Sequence, residues 1–209
     1  GSHLGEQVYA YPDGSMQGKF SDPDLTDLVK ANVVDVFSQQ LCLRKKLQVG
    51  EKEVEVFFDV LVPSPKLVIV GVVHIAIPLV HYARILGFHT IVIDPRKAFG
   101  NIERFPHVDR LVQEWPEEFL QSFPWDQGTY LVVISHDDKL DVPSLKIGCQ
   151  NEARYIGALG SKKTFAKHVL DLKAAGISDE QIARIHSPIG VDIAARGPEE
   201  IALSIITEM

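Results

Sequence analysis

The sequence carries little sulfur and no stretch fit to lie in lipid. Among its 209 residues are 2 cysteines, Cys42 and Cys149, far apart and without metal-ligand spacing. Both are read as reduced core thiols, which points to the cytoplasm. No apolar run approaches the ~18–20 residues of a membrane span, so no membrane contact is expected. No signal peptide is visible either. Runs of Lys or Arg are also missing, and the formal net charge is -7, so no nucleic-acid partner is expected. No spacing sets out a Ser/His/Asp or Cys/His nucleophile, and there are no internal repeats. Gly1-Ser2-His3 is read as a tag-cleavage remnant and takes no part in the fold argument.

What is present is 45% hydrophobic, enough for one large or two small globular domains. The stretch PKLVIVGVVHIAIP, residues 65–78, organises the rest. Residues 67–70 form a continuous β-branched run ending at Gly71, as in a strand buried on both faces of a parallel sheet. Ile75, Leu79, Tyr82 and Ile85 then recur at helical spacing, with Gly87 at the C-cap. The next strand, 90–93, ends in Asp94, about 20 residues after the turn, where dinucleotide-type βαβ units place a ribose-binding carboxylate. The glycine fingerprint is altered, however. Its three positions read Gly71, Val73 and Ala76, and Val73 sets a branched side chain where pyrophosphate oxygens would lie. Taken alone, Gly71 is equally a tight turn without a ligand, and a lone His such as His74 at a helix start is more often a surface polar group than a catalyst.

Residues 4–62 read as a small N-terminal α+β unit. Strand-like 6–11, the turn Pro12-Asp13-Gly14-Ser15 and a return strand at 18–20 come first. Ser21-Asp22-Pro23 then opens a helix with the apolar stripe Leu25, Leu28, Val29, Val33, Val36 and Phe37. Strands 41–49 and 53–61 follow, and the second, as a long edge, predicts strand exchange in a homodimer. Pro63-Ser64-Pro65 links to the main domain, 63–209. There, strands at 110–112, 130–135 and 154–159 alternate with helices at 116–123, 161–175, 179–185 and 198–209, and one begins near Pro143. The alternation predicts an α/β fold, a Rossmann-like doubly wound parallel sheet with helices on both faces. The polar stretch 95–106 is read as a loop over its binding edge.

In such sheets ligands bind at the carboxyl ends of the strands. Four segments bring polar groups there: Gly71 and His74; Asp94 and Arg96; His136, Asp137 and Asp141; and Gly157, Gly160, Ser161, Lys162 and Lys163. Gly160-Ser161 opening a helix, with two lysines in its first turn, is suited to a phosphate. The alternative is a solvated first turn. His136, Asp137 and Asp141 are acid–base groups or metal ligands, or Asp141 simply caps the helix near Pro143. A Pro-x-Gly loop, 187–192, carries Asp192 toward the same edge.

The runs PSPKLVIVGVVHIAIPL, VIDPRKAFGNIERFP, SHDDKLD, YIGALGSKKT and IHSPIGVDIAARGPEEIALSI together resemble the XdhC/CoxI family of xanthine dehydrogenase accessory proteins. DGSMQG and EVFFDVLVP resemble the end of that family's N-terminal domain. The resemblance implies a cytoplasmic chaperone for the molybdenum cofactor (molybdopterin), more an accessory factor than an enzyme. Such proteins support sulfuration of the cofactor and its delivery to xanthine dehydrogenase or a related molybdenum hydroxylase, with a cysteine desulfurase as a further partner. Two departures stand out. The family's Gly-Gly-Cys-x-Glu run after the DGS hairpin is replaced by Ser21-Asp22-Pro23-Asp24-Leu25-Thr26, and Val73 replaces a glycine. The chain also begins close to that hairpin, which implies that the first part of the family's N-terminal domain is absent. The rival readings are an NAD(P)-dependent oxidoreductase using Gly71 and Asp94, and a degenerate binding protein of the same fold.

Overall fold

The computed structural model describes residues 5–96 and 105–209. Most of the predicted edge loop therefore lies outside the described residues. The chain divides into two compact units, Gly1–Pro63 and Ser64–Met209.

In the first unit β1 (Tyr9–Ala10) pairs antiparallel with β2 (Met16–Gln17). Both are shorter than the expected strands at 6–11 and 18–20, and β2 lies before its predicted place. The Glu6 carboxylate accepts from the Ser21 N–H and hydroxyl, each at 2.8 Å. Helix α1 (Pro23–Gln39) starts where predicted, because the Asp22 carboxylate accepts from the Asp24 N–H at 3.0 Å and Pro23 loses no needed donor. Its buried residues Leu25, Val29 and Val33 pack with Phe20, Leu47 and Val49. The last two belong to β3 (Leu43–Val49), which forms an antiparallel hairpin with β4 (Lys52–Phe58).

The second unit runs β5 (Lys66–Val70), α2 (Ala76–Ile85), β6 (His89–Ile93), β7 (Arg110–Val112), α3 (Pro116–Gln121) and β8 (Thr129–Val133). It continues with α4 (Asp138–Gln150), β9 (Tyr155–Ala158), α5 (Lys162–Ala174), α6 (Asp179–Ile182), β10 (Ile185–His186) and α7 (Pro198–Glu208). The strands form one sheet in the order β10-β9-β8-β5-β6-β7, every neighbouring pair parallel. This is the α/β class read from the alternation. Leu67, Ile69 and Val132 pack under α2 and α7 on one face; Val68, Val70, Leu131 and Val133 pack under α3, α4, α5 and α6 on the other. Burial on both faces is why these strands read as unbroken apolar runs.

Two boundaries differ from expectation. The helix expected over 179–185 stops at Ile182, and Ile185-His186 join the sheet edge as β10 instead. Two residues are too short a run for a period to show. Helix α4 begins at Asp138 rather than near Pro143, and Asp137, not Asp141, is its cap, accepting from the Lys139 N–H at 3.0 Å. Asp138 and Asp141 in the first turn suit the positive end of the helix dipole. Proline at the sixth position is accommodated inside the helix, next to Ser144, whose hydroxyl donates to the Leu140 carbonyl at 2.6 Å.

Candidate functional site

The strand order reverses between β5 and β8, so ligand crevices in such a sheet lie at their carboxyl ends. Gly71 follows β5 there with φ +109°. A Cβ on it would come within 2.5 Å of the Ser135 Cα. The glycine is thus required by the close approach of the chain leaving β8. The Val72 N–H points to β6, donating to Asp94 Oδ2 at 2.9 Å.

Asp94 is fully buried. Among the described residues its carboxylate also accepts from Arg96: the backbone N–H and Nε to Oδ1 at 2.9 and 2.8 Å, and a terminal guanidinium nitrogen to Oδ2 at 2.7 Å. Burial works to raise the pKa of Asp94. The Arg96 and Val72 hydrogen bonds outweigh it, and the net shift is downward. Arg96 in turn is held protonated, mainly by Asp94, with Asp137 and Asp141 adding to the attraction. The ends of β5, β6 and β8 are therefore electrostatically one place. His74, by contrast, is exposed in the turn before α2, while Val73 is half-buried against the apolar cluster on the α2 side.

At the end of β8, Ser135 is buried and donates its hydroxyl proton to Asp141 Oδ1 at 2.6 Å, while its Oγ accepts from the Asp137 N–H at 3.1 Å. Burial raises the pKa of Asp141, opposed by the Ser135 hydrogen bond. His136, exposed between them, holds a left-handed φ of +60°. One turn on, Asp138 ties α4 to α5 through Lys167 and through His168 Nε2, the latter at 3.0 Å. The sequence offers no sign of that cluster, because its members lie about 30 residues apart and follow no motif. Among the described residues no three His, Cys, Asp or Glu side chains are gathered as a metal would require.

At the end of β9, Ser161 caps α5 by accepting from the Thr164 N–H at 3.1 Å. Ser161, Lys162 and Lys163 are all exposed, and Gly160 is half-exposed. Gly157 does not open onto this edge. It lies inside β9, where a Cβ would come within 2.4 Å of Ile189 Cδ1. Asp192 is exposed in the segment after β10, its carboxylate accepting from the Ala194 N–H at 3.1 Å.

Comparison with known proteins adds to this geometry. A family model described as the XdhC Rossmann domain matches residues 67–209. The chain belongs to the XdhC family. This XdhC chain is 31% identical over 159 residues to a probable xanthine dehydrogenase subunit of Bacillus subtilis, covering 76% of this chain and 46% of that protein. It is 31% identical over 84 residues to the molybdenum cofactor insertion chaperone PaoD of Escherichia coli, covering 40% of this chain and 26% of that one. The uncharacterized protein YqeB of the same organism is 27% identical over 157 residues, covering 74% of this chain and 28% of that protein. The XdhC chain thus spans less than half the length of these curated relatives. A crystal structure of a xanthine dehydrogenase from Bacillus halodurans matches with TM-score 0.61 and 24% identity, over 92% of this chain and 65% of that chain, a likeness of fold. Among the described residues no helix is long and apolar enough to cross a membrane.

Proposed function

We propose that this XdhC chain is an accessory protein that binds molybdenum cofactor at the carboxyl edge of its sheet, supports its sulfuration and hands it to xanthine dehydrogenase or a related molybdenum hydroxylase. The observation that carries the reading is the pairing of two unlike subsites on one edge. The exposed start of α5, with Ser161, Lys162 and Lys163, suits a phosphate, which gains from helix N–H groups, the dipole and two cations. The end of β8 carries the exposed His136 and the half-buried Asp137, polar groups suited to an N–H-rich ring. Molybdopterin combines a phosphate with such a ring. The family membership, and a relative named as a cofactor insertion chaperone, point the same way.

Within residues 64–209 the one thiol, Cys149, is buried in α4, and burial pushes its pKa up to about 11. It offers no thiolate to carry sulfur. We read this unit's part as holding and presenting the cofactor, with a cysteine desulfurase as the partner suited to supply the sulfido ligand; the chain's exposed thiol, Cys42, lies in the first unit.

The test is retention of molybdenum cofactor, freshly released from a molybdenum hydroxylase and added anaerobically, after gel filtration. Bound pterin is read by fluorescence after oxidation. The unaltered chain should retain it, and Lys162→Glu should weaken affinity about tenfold or more, on a scale of ~1.4 kcal/mol per decade. Failure to retain the pterin would end the reading. Retention unaffected by Lys162→Glu would move the phosphate elsewhere.

A further inference from the structure

We infer that His136 is a specificity-determining residue that touches the ring of the bound cofactor, held in a left-handed backbone that presents its imidazole at the end of β8. The inference rests on the cofactor reading. It starts from a turn that leaves position 136 little freedom. Ser135 lies so close to Gly71 that a Cβ on the glycine would come within 2.5 Å of the Ser135 Cα. The Ser135 hydroxyl donates to Asp141 at 2.6 Å and accepts from the Asp137 N–H at 3.1 Å, and the Asp137 carboxylate in turn caps α4. With both neighbours pinned, residue 136 takes φ +60°.

Glycine or asparagine is the ordinary occupant of such a position. The chain mostly follows that rule: among the described residues nine glycines have positive φ, against Gln40, His136 and Ala194 as the exceptions. Two of the three have a local reason. Gln40 ends α1 with its N–H on the Phe37 carbonyl at 3.1 Å, and the Ala194 N–H closes a turn onto the Asp192 carboxylate at 3.1 Å. His136 has no such return. It is exposed, and among the described residues its ring makes no hydrogen bond, ion pair or ring stack. Its ring lies close enough to Asp141 to act against the effect of burial on that carboxyl. A costly backbone conformation that brings no packing in exchange marks a side chain kept for a ligand.

The place and the chemistry agree with that role. His136 follows β8 at the reversal of strand order, where sheets of this kind take ligands. A neutral imidazole offers one donor N–H and one acceptor nitrogen. The pyrimidine edge of a pterin sets amino and ring N–H donors beside carbonyl and ring-nitrogen acceptors, so one imidazole can pair with it in either sense. Lys162 and Lys163 would then hold the phosphate while His136 reads the ring, and a phosphate-bearing ligand without that edge would meet half of the site.

The experiment repeats the anaerobic pterin-retention assay on His136→Gly and His136→Asn, beside the unaltered chain and Lys162→Glu, with a thermal melt of each. Both residues suit φ +60°, so melting temperatures should stay within about 3 °C of the unaltered protein. We expect His136→Gly to weaken pterin affinity about tenfold or more, and His136→Asn, which keeps a donor and an acceptor, to stay within about threefold. An equal loss in both variants overturns the inference, as does a large drop in the melting temperature of His136→Gly. Retention lost in Lys162→Glu but kept in His136→Gly ends this inference alone. No retention by the unaltered chain ends the cofactor reading, and this inference with it.

Discussion

Gly71 and Gly157 do their work by having no side chain, each for the sake of a neighbour. With φ +109° and backbone 2.5 Å from its would-be Cβ, Gly71→Ala should cost about 3 kcal/mol or more in urea unfolding. Gly157→Ala meets movable Ile189 and Tyr155 side chains, and should cost about 1–3 kcal/mol. A smaller loss at Gly71 than at Gly157 would refute the ranking. The two buried aspartates behave oppositely with pH. Asp94, lowered in the fold, adds stability that is present above its unfolded pKa of about 3.9 and lost as pH falls through the folded value. Asp141, raised by burial, binds its proton more tightly in the fold, so its contribution declines as pH climbs from about 3.9 through the folded pKa. Asp141→Asn should therefore compare better with the unaltered protein at pH 7 than at pH 4. Thermal melts showing the same difference at both pH values would exclude this. Asp94, Arg96 and Gly71 are recognisable as candidates because their spacing matches a known unit. That Asp94 faces inward is not, since a spacing rule gives a carboxylate's position along the chain and not its direction.

Among the elements, α1, α2 and α5 are legible because a capping side chain or a helical period marks them within a few residues. The start of α4 is not, since Pro143 looks like a first-turn proline. The Asp137 cap should contribute about 1 kcal/mol, so Asp137→Ala should lower the unfolding free energy by that amount. An equal loss from Asp141→Ala with none from Asp137→Ala would return the cap to the later position. At α5 a substitution can separate cap from ligand. Ser161→Ala should cost about 1 kcal/mol in urea unfolding, while Lys162→Glu should leave stability within about 0.5 kcal/mol, because a negative charge is favoured at a helix start.

The two units differ most in how much core each has. In the first, the buried apolar cluster is Phe20, Leu25, Val29, Val33, Leu47 and Val49, under two separate two-stranded sheets. The second builds a cluster on each face of a six-stranded sheet. Two-stranded ribbons are marginal on their own. Hydrogen exchange should therefore find amides of β3 and β4 opening at lower free energy than those of β5 and β8. Equal protection in both sets would show that the first unit is stabilised beyond its own core.

Local pattern along the chain is enough for β3 to β9, most of the helices and the parallel sheet that β5 to β9 make, though not for β2 or β10. Those follow from periods and caps, which act over a few residues. What the polar residues do at the carboxyl edge is settled by packing in three dimensions. Asp94 is turned onto Val72 by Arg96, Asp141 is buried under Ser135, and Asp138 binds His168 from another helix. Burial and hydrogen-bond direction depend on which backbone comes alongside, and that is fixed by sheet order rather than by any local pattern. Gly157 shows the same limit: it reads like the turn glycine Gly160 three residues on, yet the packing of Ile189 makes it part of the core.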